Sequence, residues 1–317
     1  MFCINLLNYL NLLNCFEPLT AKLFLPMKPA LIKLHIAVFL WGFTGVFGKL
    51  ISLNEGLLVW YRMLFTVVSL FLLLLFSKKL VLLPLKLSLK LIAIGSLIAI
   101  HWVLFYGSIK YSNVSIALTC LSTSGLFTAF LEPLLNKRRL NLVEVGLGLM
   151  GVLGIWLIYH FNQAFQTGMI IGLCSALLSV IFSVLNKKTV TSIDSGTVMF
   201  YELTGGWLIL SVLLPVYLMY FPTNHLFPSY SETGWLIILS WVCTITAFGL
   251  SLQALKHISV FTQNLVLNLE PVYGIIVAFA IYHENKNLSN GFYWGFAVII
   301  STVVIQMMRL LKKKVAA

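Results

Sequence analysis

Four ionisable residues stand inside stretches that are otherwise apolar: Arg62, His101, Glu202 and Glu270. If those stretches cross a bilayer, each charge costs about 2.5–3.5 kcal/mol near the centre on insertion scales, so each is read first as functional. Glu270 is the costliest, about ten residues or roughly 15 Å into its run. Pro271 beside it has no N–H, which frees the carbonyl of Leu267 and produces a local break where a polar ligand can bind. Asn264 and Asn268, one turn apart, add amide donors and acceptors to this stretch. The chemistry on offer is a substrate or proton site; the competing reading is a structural carboxyl that caps a proline-broken helix.

His101, Trp102 and Tyr106 follow one another at i, i+1 and i+5, with Tyr106 roughly 140° around the helix from His101, so they share a cavity wall only in part. Trp41, Thr244, Thr246 and Ser251 supply further aromatic and hydroxyl lining. That mixture suits a small zwitterion or amphipathic metabolite, although each residue taken alone reads as packing. Arg62 and Glu202 each lie about five residues into a run, but the runs enter from opposite sides, which separates the two by over roughly 10 Å in depth. They cannot pair. Arg62 is therefore assigned with Glu284 to a gate on one side, near Glu55 and Lys49, and Glu202 to a gate on the other, near Lys187, Lys188 and Lys256. Snorkelling of both near helix ends is the alternative.

Other chemistries lack their residues. The single aspartate, Asp194, lies in a connection, and no His-Glu-x-x-His, Gly-x-Ser-x-Gly or phosphate-cradling glycine loop occurs. Paired-carboxylate catalysis would need a partner for Glu270 at like depth, and the sequence offers none. The chain is thus read as a non-enzyme without a cofactor. Its five cysteines have no spacing of a metal site or disulfide framework. With no ATP-binding motif, any transport must be driven by a gradient or by the substrate's own concentration.

The elements that must position these residues follow from composition. Of 317 residues, 60% are hydrophobic and only 9% charged, against about a quarter charged in soluble proteins, so most of the surface must face lipid. Ten runs are long enough to cross, at about 31–53, 57–76, 90–109, 115–135, 142–161, 168–186, 196–218, 235–255, 259–282 and 291–311. Basic residues test that count. Lys22, Lys28 and Lys33, then Lys78, Lys79, Lys86 and Lys90, residues 137–139, Lys187 and Lys188, Lys256, and Arg309 with residues 312–314 all fall on one side. Only Lys49, Lys110 and Lys286 fall on the other. This bias predicts both termini in the cytoplasm and explains the net charge of +12 without a nucleic-acid partner. Before the first run, Asn5, Asn8, Asn11 and Asn14 recur every third position in a stretch too polar to span, and Met27-Lys28 reads as a plausible start. Residues 1–30 are set aside as an extension, and 312–317 as a basic cytoplasmic tail.

The chain also repeats. Val59-Trp60-Tyr61-Arg62-Met63 lines up with Met199-Phe200-Tyr201-Glu202-Leu203, and Ser108-Ile109-Lys110 with Ala254-Leu255-Lys256. The expected fold is all-α, ten transmembrane helices in two five-helix halves, 31–161 and 168–311. Because five is odd, the second half enters from the opposite side, giving an inverted repeat of the kind that builds secondary transporters around a midplane site. Gly146, Gly148, Gly151 and Gly154, with Gly291 and Gly295, mark close helix packing.

Particular motifs resemble a family. Trp41-Gly42-x-x-Gly45-x-x-Gly48-Lys49 looks like the opening of an EamA-type half of the drug/metabolite transporter superfamily. Leu185-Asn186-Lys187-Lys188, Cys243-Thr244, Ala254-Leu255-Lys256, and Asn264-x-x-x-Asn268-Leu269-Glu270-Pro271-Val272-Tyr273-Gly274 running on to His283-Glu284 are similar to it too. The likeness covers about 31–311. The first half departs from the pattern, with Ser124-Gly125 where the second has Glu270-Pro271. Ser122, in the polar run Thr119, Ser122, Thr123 and Ser124, is similar to the position where that family's first half approaches the cavity; the alternative is hydroxyls bonded to backbone carbonyls. The resemblance implies a multi-pass exporter of amino acids or related small metabolites in the inner (plasma) membrane. It also implies that the glycine-rich fifth and tenth spans support the core or a homodimer. Export is implied by the family alone; nucleotide-sugar or drug efflux and an intramembrane enzyme are the alternatives.

Overall fold

In a computed structural model, residues 27–135, 142–161, 163–187, 189, 193–258, 260–267 and 269–315 are described. Their regular structure is helical: α1 Met27–Gly42, α2 Thr44–Lys49, α3 Glu55–Phe76, α4 Leu85–Tyr111, α5 Val114–Leu121, α6 Ser124–Leu135 and α7 Leu142–Phe161. There follow α8 Gln166–Lys187, α9 Ser195–Tyr220, α10 Tyr230–Ser240, a π-helical turn Trp241–Thr246, α11 Ala247–Leu255, α12 Val260–Leu267, α13 Glu270–Tyr282 and α14 Asn290–Val315. Residues 1–26 of the expected extension, the 137–139 triplet and Lys188 lie outside the described residues, and 27–30 open α1.

Short polar residues start these helices by accepting their free N–H groups. Asn54 accepts from Gly56, Asn113 from Ile116, and Asp194 from Gly196 and Thr197. Ser229 and Glu232 close a reciprocal capping box on α10. Between such caps the runs are apolar. Among the described residues, seven helical segments are long and apolar enough to cross a membrane, and Gly146–Phe161 and Glu270–Tyr282 are shorter apolar helices. Large apolar side chains such as Phe76, Leu82, Val212 and Met219 point outward, as a protein solvated by lipid tails allows. The chain is a multi-pass membrane protein.

Close packing is concentrated where side chains are smallest. α4 crosses α9 so tightly that a Cβ on Gly95 would lie 1.7 Å from the Glu202 carbonyl oxygen. Likewise α7 meets α14 at Gly154 and Gly295, and α1 meets α13 at Gly42 and Gly274, each glycine facing the other's backbone. Three of the long segments are interrupted. The chain breaks at Phe43, at Ser122–Thr123, and just before Glu270, so α2, α6 and α13 start within the bundle.

Candidate functional site

The interruptions border an open cavity in the bundle. Its walls come from all along the chain: Trp41 and Thr44 from α1 and α2, Arg62 from α3, His101, Trp102 and Phe105 from α4, and Ser124 from the start of α6. Ser179, Phe182, Ser183 and Asn186 on α8, Phe248, Leu252 and Leu255 on α11, Gln263 on α12 and Glu270 at the start of α13 complete them.

Arg62 forms one end of the cavity. Its Nε donates to Thr244 Oγ1 at 3.0 Å and a terminal nitrogen to the Tyr106 hydroxyl at 2.8 Å. The guanidinium lies 4.0 Å from the centre of the Trp102 ring, a cation–π contact that compensates its removal from water. Hydroxyls of Thr66 and Ser240 both donate to the Arg62 carbonyl, which fixes the backbone beneath it. Thr244 reaches this position from the π turn, where its hydroxyl donates five residues back to Leu239. Such turns rotate one residue out of helical register and recur at functional sites.

Glu270 faces the same cavity from the first turn of α13, where the helix N-terminus favours negative charge. Ser124 occupies the matching place at the start of α6, so two half-helix N-termini border one space. Trp41 is aimed by its indole N–H, which donates to the Cys243 carbonyl at 2.8 Å. His101 is held through Nδ1, 2.8 Å from both the carbonyl and hydroxyl oxygens of Ser175, leaving Nε2 as its other polar atom. Gln263 donates to Ser251, while its Oε1 is buried without a partner among the described residues.

The expected set is therefore sorted. Trp41, His101, Trp102 and Glu270 share the cavity; Tyr106 and Thr244 lie behind it and hold Arg62. Ser122 does not reach it, because its hydroxyl is buried and donates to the Thr119 carbonyl freed by the helix break. Thr246 is also spent locally, on Trp241. Asn268 and the side chain of Asn264 lie outside the described residues. The assignment of Arg62 to a gate with Glu284 is corrected: Arg62 belongs to the cavity, and Glu284 pairs with Lys49 at 2.7 Å. Glu284 also accepts from the Val114 and Ser115 amides and the Ser115 hydroxyl, capping α5. Of the lysines expected near Glu202, Lys188 lies outside the described residues. Lys187 is turned away to the Leu255 and Ile258 carbonyls, and the neighbour of Glu202 is Asn186, whose Nδ2 donates at 3.4 Å. Gln263, Ser179 and Ser183 are cavity residues that their types alone did not single out; the i, i+4 spacing of the two serines on α8 was the one available signal.

A helical membrane protein whose interrupted helices border one cavity, with a buried guanidinium and a buried carboxyl in its wall, belongs structurally with membrane transporters. The model of the EamA-like transporter family matches residues 28–160 and again 166–307, and the chain belongs to that family. A solved structure titled only "Crystal structure of protein" superposes with a TM-score of 0.63 over 88% of this chain and 97% of its own, at 15% identity, which is a likeness of fold. No curated protein matches the chain.

Proposed function

We propose that the protein is a secondary transporter that exports amino acids or related small metabolites across the inner (plasma) membrane, by alternating access of two inverted five-helix halves that make ten crossings with both termini cytoplasmic. The observation that carries this reading is the joint presence of Arg62 and Glu270 in one aromatic-walled cavity. A zwitterion fits such a pair: its carboxylate meets the Arg62 fork and the N-terminus of α6, and its ammonium group meets Glu270. Trp41, Trp102, Phe105 and Phe248 supply apolar surface for a side chain.

The inverted arrangement is supported by the directions of repeat-equivalent helices. α3 starts at the end where Glu55 accepts from Tyr217 and Ser52 donates to Glu232, whereas α9 starts beside Tyr201, whose hydroxyl accepts from the Leu83 amide at the other end. The excess of Lys and Arg assigns that second end, with Lys187 and Lys256, to the cytoplasm. A flux panel in proteoliposomes, covering amino acids, nucleosides and sugars with and without a pH gradient, tests the reading. We expect amino acids to be carried and Glu270→Gln to abolish that flux. Full flux in Glu270→Gln would remove the site, and carriage of sugars or nucleosides alone would overturn the substrate class.

A further inference from the structure

We propose that Glu202 and Asn186 form a proton-binding site beside the transport cavity, separate from Glu270, and that this site couples transport to a pH gradient. The proposal rests on the transporter reading but not on its substrate.

Glu202 lies within α9 and is fully buried. Among the described residues, no ion pair to Glu202 occurs. On α4, the closest packed neighbour, Lys86 and Lys90 are exposed, Lys110 is bonded to the Leu53 carbonyl, and His101 is bonded to Ser175. On α3, Arg62 is committed to Thr244 and Tyr106, and Glu55 to Tyr217. On α8, Lys187 donates to Leu255 and Ile258; α11 carries no ionisable side chain; and Tyr201, on α9 itself, is bonded to Val81 and Leu83. A carboxylate in that setting is an unpaired buried charge, which costs several kcal/mol, whereas the acid with its proton bound is neutral.

The hydrogen bonds indicate where that proton sits. Asn186 Nδ2 donates to Glu202 Oε2, yet Glu202 Oε1 and Asn186 Oδ1 are both buried without partners among the described residues. Both are acceptors, so neither can satisfy the other. One added proton on Oε1 makes that atom a donor, and Oδ1 is an unpartnered acceptor on the residue already bonded to Glu202. A metal ion in the same place would need several more ligands, and no cluster of His, Cys, Asp or Glu that could hold one occurs among the described residues.

Asn186 gives the site its function. Its side chain is 1% exposed and yet lines the cavity, so a single amide separates the proton from the water of the transport path. α8, α11 and α12 all line the cavity, and Lys187 of α8 donates to the Leu255 carbonyl at the end of α11. Movement of these elements alters the contact between Asn186 and Glu202. The carboxylate oxygen takes one proton from water in one conformation and returns it to water in the other, with no electron transferred.

Glu202→Gln tests this cleanly, because an amide–amide pair with Asn186 keeps the hydrogen bonds and removes only the titration. In proteoliposomes the wild type should build up substrate against a pH gradient, to about tenfold per pH unit if one proton moves per substrate. Glu202→Gln should retain substrate-for-substrate exchange and show no gradient-driven accumulation. Accumulation that survives in Glu202→Gln, or that follows a sodium gradient instead, overturns the proposal. Should the variant fail to insert, infrared spectra of the purified wild-type protein and of Asn186→Leu decide: the expected result is a protonated-carboxyl band at neutral pH that shifts in Asn186→Leu, and a spectrum without that band refutes the site. A wild type that carries nothing in the panel would strike the transporter reading, while the infrared result would still judge the proton site.

Discussion

Arg62 is 1% exposed in an apolar bundle, and what makes its burial tolerable is the fit of a planar fork to two hydroxyls and an indole face. Lysine carries the same charge without that geometry. Its ammonium cannot reach Thr244 and Tyr106 together and stay centred over Trp102. Arg62→Lys should therefore insert and fold but lose about 1.5–3 kcal/mol of binding to an anionic substrate group, roughly a ten- to hundredfold rise in the half-saturating concentration. Equal half-saturation in Arg62→Lys and wild type, measured in proteoliposomes, would detach Arg62 from the substrate. The residue itself was legible in the sequence as an ionisable group in an apolar run, but its partners were not. Counting from a span's start gives depth along the axis; it gives neither the direction of the side chain nor the reach of a long one. That is why Glu284 was matched to Arg62 although Lys49 and the α5 amides hold it.

At the scale of elements, the spans and their caps could be read directly, since hydropathy and an Asn, Asp or Ser before a helix are local signals. The break before Glu270 was announced by Pro271. Its counterpart at Ser122–Thr123 has no proline and is sustained by hydroxyls, with Ser122 and Thr123 donating to the Thr119 and Cys120 carbonyls. Nothing in Trp241–Thr246 signals a π turn, because that register is chosen by what Thr244 meets across the bundle. The glycines of α7 and α14 were expected to pack, and they do: a Cβ on Gly295 would lie 2.4 Å from the Gly154 carbonyl oxygen and 2.5 Å from Ile158. Gly295→Ala should cost about 1–3 kcal/mol by overpacking and lower the melting temperature in detergent. Substrate affinity of the folded fraction should be unchanged, since among the described residues none of α7 or α14 lines the cavity. An unaltered melting temperature would mean that these helices can separate freely, and altered affinity would mean that they shape the site.

Taken as a whole, the molecule is bonded across at both ends, by different groups. At the Lys49 end, Lys49–Glu284, Glu284 with Val114 and Ser115, Glu232 with Ser52, and Tyr217 with Glu55 join segments far apart in sequence. The Tyr106 ring fills the groove at Gly48 just below them, between those bonds and Arg62. At the Lys187 end the cavity wall continues to Asn186 and Leu255, the last residues but one and the last of their helices. In the proposed alternating access the bonds at the Lys49 end break when that end opens, and among them Glu284 carries the most: an ion pair and three hydrogen bonds on one 2%-exposed residue. Glu284→Gln removes the charge from all four. Loss of about 1.5–3 kcal/mol from the Lys49 end shifts the balance of the two conformations roughly ten- to hundredfold toward opening there. Val46, 1% exposed beneath that end, reports the shift if it is replaced by cysteine in a background without the native cysteines. A membrane-impermeant thiol reagent applied from the Lys49 side should label Val46→Cys at least about tenfold faster when Glu284→Gln is added. Labelling at the same rate would show that Glu284 caps α5 without holding the end closed, and the barrier would then have to lie deeper, at Tyr106 and Arg62.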